Sequence, residues 1–309
     1  MSKQDRSQNA KQQKKNMIIG VSLSATIALL VGVGIAVLIP KENQYKQAQA
    51  YMEQHQYLEA MDLLHDLKGY KKANALYTKA SCMYNGDYKT IVEQYNITDF
   101  VIPEGVTYIK PFLFRDCTKL KSITIPDSVT SIGESVFYGC TNLTNVTLGK
   151  GVTSIGGRAF YNCESLTNIT LPDTLMSIGG HAFFNCDSLT SITIPNSVTD
   201  IGYGAFNDCN SLTNVNIGNN VTSIGSYAFK LCGNLTNVTI PATVTYIGYG
   251  AFNNCNNLTT ATFENPYGWS TFYTIVTGNG VPVSSDDLVN TSTAAQYLAG
   301  YYDHTWRRR

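Results

Sequence analysis

Residues 189–211 read LTSITIPNSVTDIGYGAFNDCNS, and residues 212–234 read LTNVNIGNNVTSIGSYAFKLCGN. The two stretches carry Leu, Ile or Val, Gly, Ala-Phe and Cys at the same places, with a period of 23 residues. Seven cysteines mark this period along the chain: Cys117, Cys140, Cys163, Cys186, Cys209, Cys232 and Cys255. Self-similarity at a fixed period of this length indicates an internal structural repeat.

Each unit has the same order of features. Apolar and polar residues alternate after the Leu, as at Ile192 and Ile194, which predicts a strand with one buried face. A Pro or Gly ends this strand, and a second apolar pair follows, such as Val198 and Ile201. A Gly then closes the unit, for example Gly202, where we expect a turn with positive φ. A single unit of this size cannot bury its own apolar side, so stacked units are predicted to form a solenoid of roughly seven coils.

The pattern L-x-x-I-x-I-P-x-x-V-x-x-I-G-x-x-A-F-x-x-C resembles the BspA-like leucine-rich repeats of bacterial surface and secreted proteins. The resemblance extends over residues 97–263 and implies a leucine-rich-repeat solenoid, an α+β repeat fold, whose members are often associated with adhesion or with binding of host macromolecules. Gly149 and Gly218 replace the Pro that ends the strand in other units. Ala261 is expected to weaken the last strand, so that the C-terminal coil frays.

Seven cysteines in one chain could bind a metal or form disulfides, but their spacing argues against both. Equivalent side chains in successive coils point the same way, and their expected Cβ separation exceeds the ~3.8 Å that a disulfide prefers. The chain has no C-x-x-C motif and no His at ligand spacing from the cysteines. We therefore expect buried thiols that pack as small hydrophobes, with no metal and no cofactor. Only Cys82 lies outside the series, in a predicted helix.

The N-terminus is predicted to hold a membrane anchor. Residues 1–16 form a basic head, and residues 17–39 are all apolar or small, a run that spans about 34 Å as a helix and is long enough to cross a bilayer. The positive-inside rule places the head in the cytoplasm and the rest outside the cell, as a single-pass protein. The alternative is a signal peptide cleaved after Ala48-Gln49-Ala50.

Two further regions flank the repeats. Residues 41–95 have a helical pattern and are interpreted as a stalk and N-terminal cap; Tyr57-x-x-Ala60 and Leu64 resemble degenerate tetratricopeptide units, which leaves peptide binding in a groove as an alternative. The repeats themselves occupy residues 96–263. Residues 264–309 are predicted to cap the last coil, with a hairpin formed by residues 273–276 and 281–283 and one short helix over residues 294–298.

Charge excludes several classes of function. The chain has 22 Lys and Arg against 22 Asp and Glu, and charged residues make up 14%, so nucleic acid is not an expected partner.

The exposed side chains of the predicted strands are all Ser, Thr or Asn, with no acid pair, His or Arg cluster that could catalyse a reaction. These candidate ligand-binding residues are Asn145, Thr147, Asn168, Thr170, Ser191, Thr193, Asn214, Asn216, Asn237 and Thr239. They suit hydrogen bonding to a glycan or to protein backbone, although β-propensity and solubility explain them equally well.

An aromatic edge is the second candidate surface. Tyr161, Tyr203, Tyr227 and Tyr249 fall near the closing glycines and are candidates for contacting a partner protein. The sequence therefore predicts a non-enzymatic, membrane-anchored surface protein that binds an extracellular protein or glycan. The alternative is a structural or sensory component of the cell envelope with no host ligand.

Overall fold

A computed structural model describes residues 40–54, 56–67, 73, 88–94, 96–102, 104–273, 281–300 and 304–308. The basic head, the apolar run at residues 17–39, Cys82 and the hairpin loop at residues 278–280 lie outside the described residues. Within the described ranges, no helix has the length and apolar character needed to span a bilayer. The chain divides into two compact units, Met1–Ser81 and Cys82–Arg309.

In the described part of the first unit, two helices have defined bounds, α1 (Lys41–Glu53) and α2 (Tyr57–His65). Pro40 precedes α1 with φ −53°, a backbone angle already suited to starting a helix. The helices bury Ala48, Ala60 and Leu64 in a small core. Residues 41–53 and 57–65 are therefore helical, in agreement with their sequence pattern, and the stalk and tetratricopeptide interpretations stay predictions.

The first described element of the second unit is α3 (Tyr88–Gln94), which covers the first coil of the solenoid. The ring of Tyr88 lies 5.2 Å from that of Phe100 and 5.6 Å from that of Phe114. Val92 is fully buried in the same core. The short helix therefore closes the N-terminal end of the apolar core.

Each coil of the solenoid contributes two short strands to two parallel ladders. The first ladder contains β1 (Asp99–Val101), β3 (Ser122–Thr124), β5 (Asn145–Thr147), β7 (Asn168–Ile169), β9 (Ser191–Thr193), β11 (Asn214–Asn216), β13 (Asn237–Ile240) and β15 (Thr260–Phe263). The second contains β2 (Tyr108–Ile109), β4 (Ser131–Ile132), β6 (Ser154–Ile155), β8 (Ser177–Ile178), β10 (Asp200–Ile201), β12 (Ser223–Ile224) and β14 (Tyr246–Ile247).

Paired residues in both ladders are 23 positions apart, as in Ile123↔Val146 and Ile201↔Ile224. The second ladder is continuous, whereas the first is divided into three sheets, β1-β3-β5-β7, β9-β11 and β13-β15. The predicted repeat solenoid of about seven turns is confirmed. Its core repeats with the coils: Phe114, Phe137, Phe160, Phe183, Phe206, Phe229 and Phe252 are fully buried and stack at 5.1–5.4 Å between ring centroids.

The closing glycines have a different role from the one predicted. None of Gly133, Gly156, Gly179, Gly202, Gly225 and Gly248 has positive φ. Instead, a Cβ on Gly156 would lie 2.6 Å from the carbonyl carbon of Gly133 in the preceding coil. Glycine is required because the backbones approach closely, not because the chain turns left-handed there. The left-handed residues lie two positions later, as at His181 with φ 56°, and one position before the Cys, as at Asn185 with φ 53°.

The C-terminal cap differs from its prediction in three ways. The hairpin begins earlier, with β16 (Trp269–Tyr273) paired to β17 (Val281–Pro282). Two helices replace the single predicted one, α4 (Ser285–Val289) and α5 (Thr291–Gly300). An unpredicted strand, β18 (His304–Arg308), pairs with both β14 and β16 and so extends the second ladder.

The last coil does not show the expected weak strand. β15 pairs with β13 over four residues, and Ala261 is fully buried. α5 packs against β15 and presents Ala294, Ala295 and Leu298 to the common core. The small side chain of Ala261 thus leaves room for a covering helix. Trp269 and Trp306 are buried in the same cap.

Candidate binding surfaces

The strand face is the exposed side of the first ladder, formed by the ten predicted ligand-binding residues from Asn145 to Thr239. All ten are exposed, and they alternate with buried apolar residues such as Val146 and Ile192. In the structure, the strand face also extends to the first coil, which the repeat pattern does not include. The exposed residues Asp99 and Val101 of β1 lie on this face. Hydrogen bonds donated by Ser122 and Thr98 lower the pKa of the Asp99 carboxyl group, so it stays ionised.

The strand face contains two rows with different hydrogen bonding. In the first row, the amides of Asn168, Asn214 and Asn237 each donate to the hydroxyl of the preceding Thr, at 3.2–3.5 Å. The second row consists of Thr147, Thr170, Thr193, Asn216 and Thr239. No side chain of this row has a hydrogen-bond partner within the part of the chain that the structure describes. The second row therefore presents hydrogen-bonding groups that the fold does not use.

A depression of about 510 Å³ lies where β5 and β7 end. Thr147 and Thr170 line it together with Lys150 and Asp173, two charged residues that the repeat pattern does not mark. Gly149 lets the coils approach at this point, since a Cβ there would lie 2.3 Å from the carbonyl carbon of Pro126. The depression thus combines unpaired hydroxyls with charges of both signs.

The aromatic edge consists of two rows, not one. The aromatic stack, Tyr138, Tyr161 and Phe184, has ring centroids 4.8 and 4.5 Å apart and nearly parallel rings, at 4° and 7°. The alternating row contains His181, Tyr203, Tyr227 and Tyr249, with centroids 4.9, 5.5 and 5.2 Å apart and interplanar angles of 77°, 89° and 87°. Of the four predicted tyrosines, Tyr161 belongs to the stack and the other three to the alternating row.

A second depression, of about 450 Å³, adjoins the aromatic stack. Arg158 lies 3.6 Å from Glu134 within it, and Arg115 at its rim lies 3.3 Å from Asp116, so both guanidinium groups have an acidic partner. Burial, and then the nearby charge of Arg158, lower the pKa of His181. The carboxylate that lines this depression, Glu134, is thus paired with Arg158.

The seven repeat cysteines are buried free thiols, as predicted. The structure adds a hydrogen bond that the sequence does not reveal: the Sγ–H of Cys186 donates to the carbonyl of Phe160, 26 residues earlier, at 3.2 Å. Five others, Cys140, Cys163, Cys209, Cys232 and Cys255, make the same bond. Burial raises the pKa of Cys209 and of Cys255 to about 12. The thiols are therefore neutral structural groups that connect successive coils.

Comparison with known proteins agrees with this architecture. The family model of the BspA type leucine rich repeat region matches residues 88–210 and 153–274, more than half of the chain. A leucine rich cell surface protein from Faecalibacterium prausnitzii is 36% identical with a TM-score of 0.51; the match covers 56% of this chain and 49% of that one. This chain thus spans about half the length of that relative.

A leucine rich repeat protein from T. pallidum is 33% identical with a TM-score of 0.49, over 53% of this chain and 78% of that one. No curated protein matches the chain. The relatives are leucine-rich repeat proteins, a fold that is not typically enzymatic and that suggests a protein-interaction scaffold. On the match of the family model, this chain belongs to the BspA type leucine-rich repeat family.

Proposed function

We propose that this protein is a non-enzymatic, cell-surface binding scaffold, anchored in the membrane by residues 17–39, that binds an extracellular protein or glycan on its strand face. The observation that carries the proposal is the second row. Its side chains, Thr147, Thr170, Thr193, Asn216 and Thr239, are exposed and have no hydrogen-bond partner among the residues that the structure describes. The cell-surface description of the F. prausnitzii relative supports the location.

The chemistry of the strand face favours an uncharged ligand rich in hydrogen-bonding groups. A hydroxyl both donates and accepts, and an amide offers an oxygen and an NH₂ group. The rows from Asn145 to Thr239 contain no ionisable side chain, so electrostatic attraction contributes little to binding there. Glycan hydroxyls and exposed peptide groups both meet this description.

The test is a binding screen with the full chain in mild detergent against immobilised glycans and extracellular matrix proteins. We expect saturable binding that is abolished by Asn168→Asp combined with Thr170→Asp, because the amide and hydroxyl donors are then replaced by carboxylates, which accept but cannot donate hydrogen bonds. Asn219→Asp combined with Thr222→Asp is the matched control, since both residues are exposed but lie outside the strand face. Binding that survives the first pair of substitutions would refute the proposal.

The alternative, an envelope component with no host ligand, makes a different prediction for the same screen. It predicts no saturable binding to any glycan or matrix protein, while the chain remains folded and membrane-associated. The membrane association itself is tested by carbonate extraction of cells that express the full chain. Release of the chain into the soluble fraction would contradict the anchor at residues 17–39.

A further inference from the structure

The residues of the alternating row recur in the sequence with a period of two coils. The segments at the closing glycines read GGHAF (179–183), GYGAF (202–206), GSYAF (225–229) and GYGAF (248–252). The aromatic residue therefore occupies the third position, then the second, then the third and again the second. The buried Phe, Leu and Cys positions repeat in every coil, so this row has twice the period of the core.

The backbone has the same conformation in every coil, and only the side chains alternate. The third position is left-handed throughout, with φ 56° at His181, 56° at Gly204 and 58° at Tyr227, and glycine adopts this conformation at no steric cost. Gly204, at the same position one coil after His181, leaves space for that ring, because a Cβ there would lie 2.6 Å from His181 Nδ1.

The ring geometry follows the same pattern. Tyr227 stands nearly perpendicular to both Tyr203 and Tyr249, at 89° and 87°. Tyr203 is 50% exposed. Tyr203 and Tyr249 thus occupy equivalent places two coils apart, separated by about 9.6 Å at the usual strand spacing of ~4.8 Å.

A ligand that runs along the coils should have a matching repeat. A polyproline II helix rises ~3.1 Å per residue and repeats every three residues, or about 9.3 Å, close to the spacing of two coils. An extended β-strand repeats every two residues, or about 6.7 Å, and matches neither one coil nor two. Aromatic-lined grooves are also the known recognition mode for proline-rich segments.

The polar groups of the row suit such a segment. A polyproline II backbone has no internal hydrogen bonds, and its prolines offer carbonyl acceptors but no N–H donors, so it needs donors such as the hydroxyl of Tyr203. The ammonium group of Lys230 lies 4.9 Å from the ring centroid of Tyr227. No carboxylate in the described part of the chain forms an ion pair with Lys230. An acidic side chain on the ligand would complete this site.

We propose that the alternating row binds a proline-rich segment of a partner protein in the polyproline II conformation, with prolines spaced three residues apart and an acidic side chain beside Lys230. This site is separate from the strand face, and its existence does not depend on the function proposed above. Each of the two sites can therefore fail its test without affecting the other.

The test is fluorescence anisotropy of the full chain in mild detergent with a fluorescein-labelled P-x-x-P-x-x-P peptide that contains one Glu. We expect Tyr203→Ala and Tyr249→Ala each to weaken binding at least about fivefold, as for interface anchor residues. Lys230→Ala should weaken binding of the Glu peptide but not of its Gln counterpart. The controls are Tyr138→Ala in the aromatic stack and Asn168→Asp on the strand face, which should bind as the parent does.

Circular dichroism melting verifies that each variant is folded, and Tyr203→Phe provides a milder change that keeps the ring. A peptide of the same composition with irregularly spaced prolines should bind at least about fivefold more weakly. Equal binding of the two peptides, no binding of either, or binding that Tyr203→Ala leaves unchanged in a folded variant would overturn the proposal. Displacement of the peptide by a neutral oligosaccharide that depends on Tyr203 would assign the row to glycans and would also overturn it.

Discussion

Phe183→Ala is the substitution that best tests the stacked core. The Phe183 side chain is fully buried, and its ring centroid lies 5.1 Å from those of Phe160 and Phe206. Its backbone N–H donates to Ala205, and its carbonyl accepts from Cys209; alanine retains both bonds. The loss therefore consists of burial, packing and cavity energy, for which Phe→Ala substitutions cost about 3–5 kcal/mol. We expect the upper part of this range, because the hydrogen-bonded coils on both sides cannot collapse into the cavity.

The assay is urea denaturation followed both by circular dichroism and by tryptophan fluorescence. Both tryptophans of the chain, Trp269 and Trp306, lie in the C-terminal cap, so fluorescence reports that end alone. Because each coil contacts only its neighbours, a central defect should separate the two transitions. Met176→Ala, at a side chain that is 65% exposed, is the control and should change stability by less than about 0.5 kcal/mol. A loss below about 1 kcal/mol for Phe183→Ala would refute the stacked core.

Three other perturbations follow from the structure. Gly156→Ala should lower the free energy of unfolding by about 1–3 kcal/mol through overpacking. Gly157→Ala is the control and should be nearly neutral in the same urea titration, because its Cβ would lie 3.4 Å from the carbonyl oxygen of Gly180. Equal effects of the two substitutions would contradict the close approach of the coils. Burial raises the pKa of Cys209 to about 12, and unfolded thiols titrate near ~8.5. As the pH rises above ~8.5, the unfolded chain therefore loses thiol protons before the folded chain does. The free energy of unfolding should then fall by about 1.4 kcal/mol per pH unit for each such thiol. If Cys209→Ala leaves this pH dependence unchanged, Cys209 does not contribute to it. Trp306→Ala should cost about 3–5 kcal/mol and lower the urea midpoint of the cap, and an unchanged fluorescence transition would show that β18 does not hold the cap.

The repeat pattern was sufficient to predict the solenoid because each position has one role in every coil. A Phe three residues before each Cys and a Leu three residues after it are buried throughout, as at Phe206 and Leu212. Spacing identifies such positions without a structure. The glycine prediction was wrong because composition does not distinguish positive φ from close backbone approach; only the contact between Gly156 and Gly133 in neighbouring coils does so.

The C-terminal cap was less predictable because it is not periodic. β18 forms by pairing residues near 306 with residues near 247, a contact that no local pattern encodes. The aromatic edge was more predictable than the cap and less predictable than the solenoid core. Its tyrosines were recognised as candidates, and the order of residues in GYGAF and GSYAF already contained the two-coil period. The division into a stack and an alternating row depends on ring angles, which the sequence does not specify.

The most direct test of the proposed function uses the strand face itself, one coil at a time. Thr147, Thr170, Thr193 and Thr239 occupy the same exposed position of the second row in four coils, and each can be changed to Asp separately. The affinity of each variant is then measured for the protein or glycan that the parent chain binds in the screen. We expect weaker binding for all four variants and unchanged binding for Asn219→Asp. Parental affinity in all four folded variants would contradict it.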